Sequence, residues 1–323
     1  MRLIFFGTPD FASRCLRKIL SSRHEVAAVV TVPDSPKGRG RKLAQPDVKK
    51  LALELGVEVL QPERLNDSQF LERLDSIKAD FFCVVAFRIL PEEVFSKPPL
   101  GCVNLHASLL PRYRGAAPIN WALINGETQT GLTTFFIGRR VDTGDIILQE
   151  EINIGSDETF GELHDRMADS GGDLLIKTMH LIESGAFSTI VQDHSKATPA
   201  PKIDPELGRI DWTKTAAEIH NLARGLSPRP GAFSFLDNKR VMILKTAIID
   251  DGGSGNTPGT IVAADPKYGI SVACGSGAIS ILILKPESGK AMTGADFVRG
   301  HRIKSGMRFA VFPGSTSGEN NER

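Results

Sequence analysis

Short apolar runs alternate with longer amphipathic stretches through the first half of the sequence. Strand-like runs rich in Val, Ile and Phe occupy residues 3–6, 26–32, 81–86 and 102–105, and helix-like stretches occupy 11–20, 48–55 and 68–77. Strands that alternate with helices of this length predict βαβ units, with parallel strands in one sheet and helices on its faces. Residues 132–137 and 146–154 add two strands either side of the turn-forming Asp142-Thr143-Gly144-Asp145, and 159–184 reads as one long amphipathic helix. The expected fold of residues 1–190 is therefore a Rossmann-like α/β domain with a mainly parallel sheet.

The pattern then changes. Pro199, Pro201 and Pro205 fall within seven residues that lack apolar periodicity, so 191–208 reads as a linker. A helix-like stretch at 215–226 precedes short strands at 232–236, 241–249, 260–264, 269–273 and 278–284. Short, closely spaced strands broken by Gly and Pro predict a small OB-like β-barrel over residues 209–312. The Gly/Ser/Asn-rich residues 313–323 are expected to be a disordered tail.

The whole chain carries 39 Lys and Arg against 38 Asp and Glu, a net charge of +1 that by itself argues against a nucleic-acid partner. The distribution says otherwise. Residues 207–312 hold 14 Lys and Arg against 8 Asp and Glu, which is +6, and leave −5 for the rest. No apolar run approaches the roughly 18 residues that span a bilayer. The apolar start at residues 3–6 is too short for a signal-peptide core, so a cytoplasmic chain without a membrane partner is expected. A monomer is expected as well. Cys15, Cys83, Cys102 and Cys274 are scattered without C-x-x-C spacing, which predicts reduced thiols and no metal site.

Chemistry concentrates in residues 102–115. If 102–106 is a strand, Asn104 and His106 share one face at its C-terminal end, where open α/β sheets place ligands. An amide donor beside an imidazole suits stabilisation of an oxyanion in acyl transfer. An aspartate at a second strand end, Asp142, could orient that imidazole and help move a proton. The bland alternatives are a polar strand end that caps the next loop and an ordinary Asp-Thr-Gly-Asp turn. Gly7 stands where a dinucleotide fold places three glycines, and the other two are missing, so NAD is disfavoured.

Asn104-x-His106, Ser108-Leu109-Leu110-Pro111, Arg114-Gly115-Ala116-Ala117-Pro118-Ile119 and Asp142-Thr143-Gly144-Asp145 resemble the folate-dependent formyltransferases. The resemblance extends to Gly7-Thr8-Pro9-Asp10-Phe11-Ala12, Gly38-Arg39-Gly40-Arg41-Lys42-Leu43, Arg209-Ile210-Asp211-Trp212, Pro258-Gly259-Thr260-Ile261 and Gly289-Lys290-Ala291-Met292. With these, the chain is similar to the family members whose acceptor is the methionine on initiator tRNA. The resemblance implies 10-formyltetrahydrofolate as formyl donor, methionyl initiator tRNA as acceptor, and no metal. It implies that Asn104 and His106 hydrogen-bond the formyl oxygen and that Asp142 positions His106. It further implies a folate site along Phe87, Arg88, Ile89 and Leu90 and along Ser108, Leu109, Leu110 and Pro111. Two segments depart from the family pattern: Phe87-Arg88 replaces a common Tyr-Gly and is one residue shorter, and Gly138-Arg139-Arg140-Val141 replaces an acidic residue and a glycine.

The basic, Gly-punctuated loop at 33–43 suits a phosphate backbone, with Arg39 foremost and Lys37, Arg41 and Lys42 as support. The resemblance places this loop beside the acceptor end of the tRNA. In the basic second half, Arg224, Arg229, Lys239, Arg240, Arg302 and Lys304 are further candidates. A sugar-nucleotide formyltransferase and a non-catalytic tRNA-binding protein are the alternative functions.

Overall fold

The computed structural model describes residues 1–37, 42–249 and 255–310. Arg39, Arg41, the side chains of Lys37 and Lys42, and the expected tail at 313–323 lie outside the described residues. In chain order the first elements are β1 (Arg2–Gly7), α1 (Asp10–Leu20), β2 (Glu25–Val30), β3 (Ser35–Lys37), β4 (Lys42–Ala44), α2 (Asp47–Glu54), β5 (Glu58–Leu60) and α3 (Ser68–Ile77). Then come β6 (Phe81–Val85), α4 (Glu92–Phe95), β7 (Cys102–His106), α5 (Pro118–Ile124), β8 (Gln129–Phe136), β9 (Ile146–Asn153) and α6 (Phe160–Ser184). The remainder holds α7 (Ala216–Leu226), β10 (Ala232–Leu236), β11 (Lys239–Ile249), β12 (Ile261–Asp265), β13 (Gly269–Ala273), β14 (Ala278–Pro286), β15 (Met292–Thr293) and α8 (Gly294–His301).

The chain forms two compact units. The first comprises Met1–Pro118, Gln129–Asn153 and Leu163–Lys202; the second comprises Ile119–Thr128, Ile154–Glu162 and Ile203–Arg323. In the first, a seven-stranded sheet runs β5-β2-β1-β6-β7-β8-β9. Neighbours from β5 to β7 pair in parallel, and β8 and β9 pair antiparallel as a hairpin at one edge. Parallel strands covered on both faces must be apolar throughout, which explains why every residue of β6 and all but Arg2 of β1 are buried. One face packs Ile4, Phe6, Val30, Phe82, Val84 and Cys102 against Phe70, Leu74 and Ile77 of α3. On the other, Gly171 lets α6 approach β7 closely: a Cβ there would sit 2.7 Å from the Leu105 side chain.

The second unit carries an antiparallel sheet in the order β10-β11-β14-β13-β12, with β15 on β14. Trp212, Ile243, Ile270, Ile279, Phe297 and Phe309 lie in its core. The Trp212 indole N–H donates to Ser234 Oγ at 3.0 Å, so its polar edge is satisfied inside that core. α7 starts with a reciprocal cap: Thr215 Oγ1 accepts from the Glu218 N–H, and Glu218 accepts from the Thr215 N–H. Asn120 of α5 donates to Gly225 O at 2.8 Å, and Arg224 donates to Gly155 O at 3.1 Å. Pieces of the first half thus belong to this unit. Among the described residues no helix is long and apolar enough to cross a membrane.

Candidate functional site

β7 carries Val103 and Leu105 toward α6 and turns Asn104 and His106 to the opposite face, as the two-residue period requires. Register pairing sets Asn104 beside Val84 and Phe135, and His106 beside Thr133. His106 is buried, 6% exposed, and its Nε2 lies 2.8 Å from Tyr113 O. A carbonyl oxygen only accepts, so this nitrogen carries the hydrogen and donates it. In the neutral ring Nδ1 is then the basic nitrogen, and it faces Asp142 Oδ2 at 3.8 Å. That separation is electrostatic contact rather than a direct hydrogen bond.

Asp142 Oδ2 also accepts the Gly115 N–H at 2.9 Å. The Asp142 backbone has a φ of +54°, a left-handed conformation uncommon for a non-glycine residue. Close by, Gly144 cannot be replaced without movement, because a Cβ there would fall 1.7 Å from Phe136 O. The turn is therefore built around a glycine that admits β8 and an aspartate held against His106. Asn104 is half-buried, and no described group hydrogen-bonds its amide.

The expected folate residues divide by role. Leu90 is buried in the sheet core with Val84 and Phe82, and Phe87 packs edge-on against Phe6 at 5.7 Å between centroids. The Arg88 guanidinium folds back, donating to Pro62 O at 2.9 Å and Glu63 O at 3.0 Å, and burial lowers its pKa from the ordinary value. Ile89 alone of these four points outward, at 75% exposure. In the second loop, Ser108 Oγ donates to Arg112 O at 2.6 Å, and the Leu110 N–H donates to Thr133 Oγ1 at 3.1 Å. Leu110 packs with Phe135 and Ile146, Leu109 lies against Gly131, and Pro111 is half-buried.

The second of the segments that depart from the family pattern reaches α4. Arg139 Nη2 pairs with Glu92 Oε1 at 2.9 Å, joining the stretch before Asp142 to the start of α4 just beyond Ile89. Val141, 52% exposed, adds apolar surface beside the Asp142 turn. Tyr113 and Gly115, which hold His106 and Asp142 through backbone groups, carry no side-chain signature and were not predicted as site residues. Of the basic candidates in the second unit, Arg224 is buried and donates to Gly155 O, and burial lowers its pKa from the ordinary value. Arg240 lies 3.7 Å over the Phe233 ring.

The model of the formyl transferase family matches residues 1–179, and that of the formyl transferase C-terminal domain matches residues 202–302. The chain belongs to the formyl transferase family. Among its formyl transferase relatives, the methionyl-tRNA formyltransferase of Acetivibrio thermocellus is 44% identical over 307 residues, 95% of this chain and 98% of the relative. That of Ruminiclostridium cellulolyticum is 46% identical over 310 residues, 95% and 99% of the two chains. Solved structures share the formyl transferase fold at lower identity. HypX from Aquifex aeolicus in complex with tetrahydrofolic acid superposes with a TM-score of 0.64 at 18% identity over 92% of this chain, which spans only 47% of HypX. A sugar 3N-formyl transferase, WlaRD, gives a TM-score of 0.64 at 18% identity, covering 90% of this chain and 99% of that one.

Proposed function

We propose that this formyl transferase moves the formyl group of 10-formyltetrahydrofolate to the α-amine of methionine esterified to initiator tRNA, acting as a monomer in the cytoplasm. The observation that carries the reading is near-full-length identity of 44% and 46% to relatives named methionyl-tRNA formyltransferase. The Asn104, His106 and Asp142 geometry supports it. In this reaction a neutral amine attacks the formyl carbon, the carbonyl oxygen becomes an oxyanion, the bond to folate N10 breaks, and the amine gives up a proton.

Asn104 supplies the oxyanion donor, because its Nδ2 hydrogens have no other acceptor among the described residues. His106 Nε2–H is already committed to Tyr113 O, so Nδ1 is the atom that accepts the amine proton. The imidazolium so formed lies 3.8 Å from the Asp142 carboxylate, which stabilises it. As imidazolium, His106 gains the second N–H with which it can share the oxyanion and return a proton to the departing N10. Exposed Ile89 and Val141 give apolar walls for the pterin ring.

The second unit supports a tRNA acceptor. Arg229, Lys239, Arg302 and Lys304 make no ion pair with any described carboxylate, so they are available to phosphates. The test offers 10-formyltetrahydrofolate with either methionyl initiator tRNA or an amino-sugar nucleotide and measures which amine is formylated. Transfer to the tRNA alone is expected. Transfer to the sugar alone overturns the reading, and RNA binding without transfer to either makes the chain a non-catalytic binder.

A further inference from the structure

The Pro-rich stretch after α6 does more than join two units. Gln192 is buried, 4% exposed, although nothing about a single glutamine marks it in sequence. Its Nε2 donates to Asp142 O at 3.1 Å and to Gly144 O at 2.7 Å. Its Oε1 accepts from Arg114 Nε at 3.2 Å and also from Arg114 Nη2. A guanidinium can only donate and a carbonyl can only accept, so the amide has one possible orientation. Arg114 Nη2 reaches His194 Nδ1 as well, at 2.9 Å, which anchors the same segment a second time.

Six residues on, Thr198 Oγ1 accepts the Tyr113 N–H at 2.9 Å, and Thr198 O accepts the Arg114 N–H at 2.9 Å. Ala200 continues the pairing, donating to Arg114 O and accepting from Ala117 N at 3.1 Å. This approach needs Gly115, where φ is +125° and a Cβ would meet Ala200 O at 2.6 Å. Two residues face the His106 ring nitrogens, Tyr113 through its backbone carbonyl and Asp142 through its carboxylate. Both are left-handed, at φ +59° and +54°, and such conformations persist only where surroundings hold them. Thr198 holds the first and Gln192 holds the second.

We infer that residues 192–200 form a strap over the catalytic loops in which Gln192 and Thr198 are positioning residues for His106: Thr198 holds the backbone of Tyr113, whose carbonyl sets the imidazole tautomer, and Gln192 holds the backbone of Asp142, whose carboxylate faces Nδ1. The inference rests on the proposed roles of His106 and Asp142.

The test uses the full-length chain with Gln192→Leu, Thr198→Val and Thr198→Ser. Gln192→Leu and Thr198→Val nearly keep side-chain volume and remove the side-chain hydrogen bonds, leaving the backbone bond from Arg114 to Thr198 in place; Thr198→Ser keeps the hydroxyl. Misplacing a reacting group by about 1 Å costs about 100-fold in rate, so kcat is expected to fall about 10- to 100-fold in Gln192→Leu and Thr198→Val. KM for the folate donor and for methionyl-tRNA stays within about twofold of wild type, and Thr198→Ser recovers most of the lost turnover. The His106 limb of the pH–rate profile moves, and so does the His106 imidazole titration followed by nitrogen NMR. Unchanged kcat, a change in KM alone, equal damage in Thr198→Ser and Thr198→Val, or an unmoved His106 titration each overturns the strap. Should the wild-type chain fail to formylate methionyl-tRNA, the functional reading falls, while the NMR titration still decides the strap.

Discussion

One oxygen of Asp142 accepts the backbone N–H of Gly115 at 2.9 Å and the same oxygen faces His106 Nδ1 at 3.8 Å. The carboxylate is therefore placed for two separable duties, holding a loop and, in the proposed mechanism, answering a charge on His106. Asp142→Asn keeps an acceptor for Gly115 and removes the charge; Asp142→Ala removes both. Turnover is expected to fall about 100- to 10,000-fold in both, the range for losing an acid–base partner. Only Asp142→Ala should also lower the denaturant midpoint. Single-turnover kinetics beside urea unfolding separates the two effects.

Asn104→Ala tests the oxyanion donor. Removal of one such donor costs about 100- to 1,000-fold in kcat. Because no described group bonds the Asn104 amide, stability should change little, and folate binding measured by fluorescence quenching should survive. A wild-type kcat in Asn104→Ala would remove this residue from the mechanism.

Gly144→Ala should damage the site from a distance. The new methyl would land 1.7 Å from Phe136 O, and backbone cannot yield as a flexible side chain does. Overpacking of this kind costs about 1–3 kcal/mol, and the displaced turn carries Asp142 with it. Both the unfolding midpoint and kcat are expected to drop, whereas Gly138→Ala, with open space around it, should leave stability unchanged.

Two helix starts give a pH signature. Hydrogen bonds from the Thr159 and Thr215 backbones, the largest cause in each case, hold Glu162 and Glu218 below the ordinary 4.5. A carboxyl depressed in the folded state contributes stability above its unfolded pKa and loses it as pH falls through the folded one. The loss therefore starts near pH 4.5 and grows downward. Glu162→Gln with Glu218→Gln should flatten that acid limb of the stability curve, measured by urea unfolding at stepped pH. An unaltered limb would contradict the assignment.

The tRNA reading predicts a charge effect without a folding effect. Reversing Lys239, Arg302 and Lys304 singly to Glu should raise KM for methionyl-tRNA and reduce the salt slope by about one for each phosphate left without its cation. KM for 10-formyltetrahydrofolate should not move.

The parallel sheet was legible because burial on both faces writes an uninterrupted apolar run, as in residues 81–85. β5 escaped prediction because its three residues are all half-buried and share no such run. α5 escaped because seven residues are too few for a helical period to emerge, and α8 because only Phe297 and Val298 mark its apolar face, with Gly294 the other buried position. Asn104 and His106 were legible as residue types toward the end of one strand, and Asp142 as a carboxylate in the turn between β8 and β9 rather than at a strand end. The groups that hold them were not: Tyr113 and Gly115 act through backbone atoms that every residue has. Gln192 acts through a side chain whose meaning depends on Arg114, 78 positions away. Proline at 199 and 201 reads as a linker because ring-constrained backbone suits linkers and pinned edges alike.

The second unit is assembled from three separate stretches, Ile119–Thr128, Ile154–Glu162 and everything from Ile203 onward. During synthesis its two early pieces leave the ribosome long before the strands they pack with. At about 5–20 residues per second, Asn120 waits several seconds for Gly225 to exist. Neither half of the gene, expressed separately, encodes a complete set of partners. A split at residue 202 would part Asn120 from Gly225 and Gly155 from Arg224, leaving each fragment without those partners. The two fragments should regain solubility only when produced together.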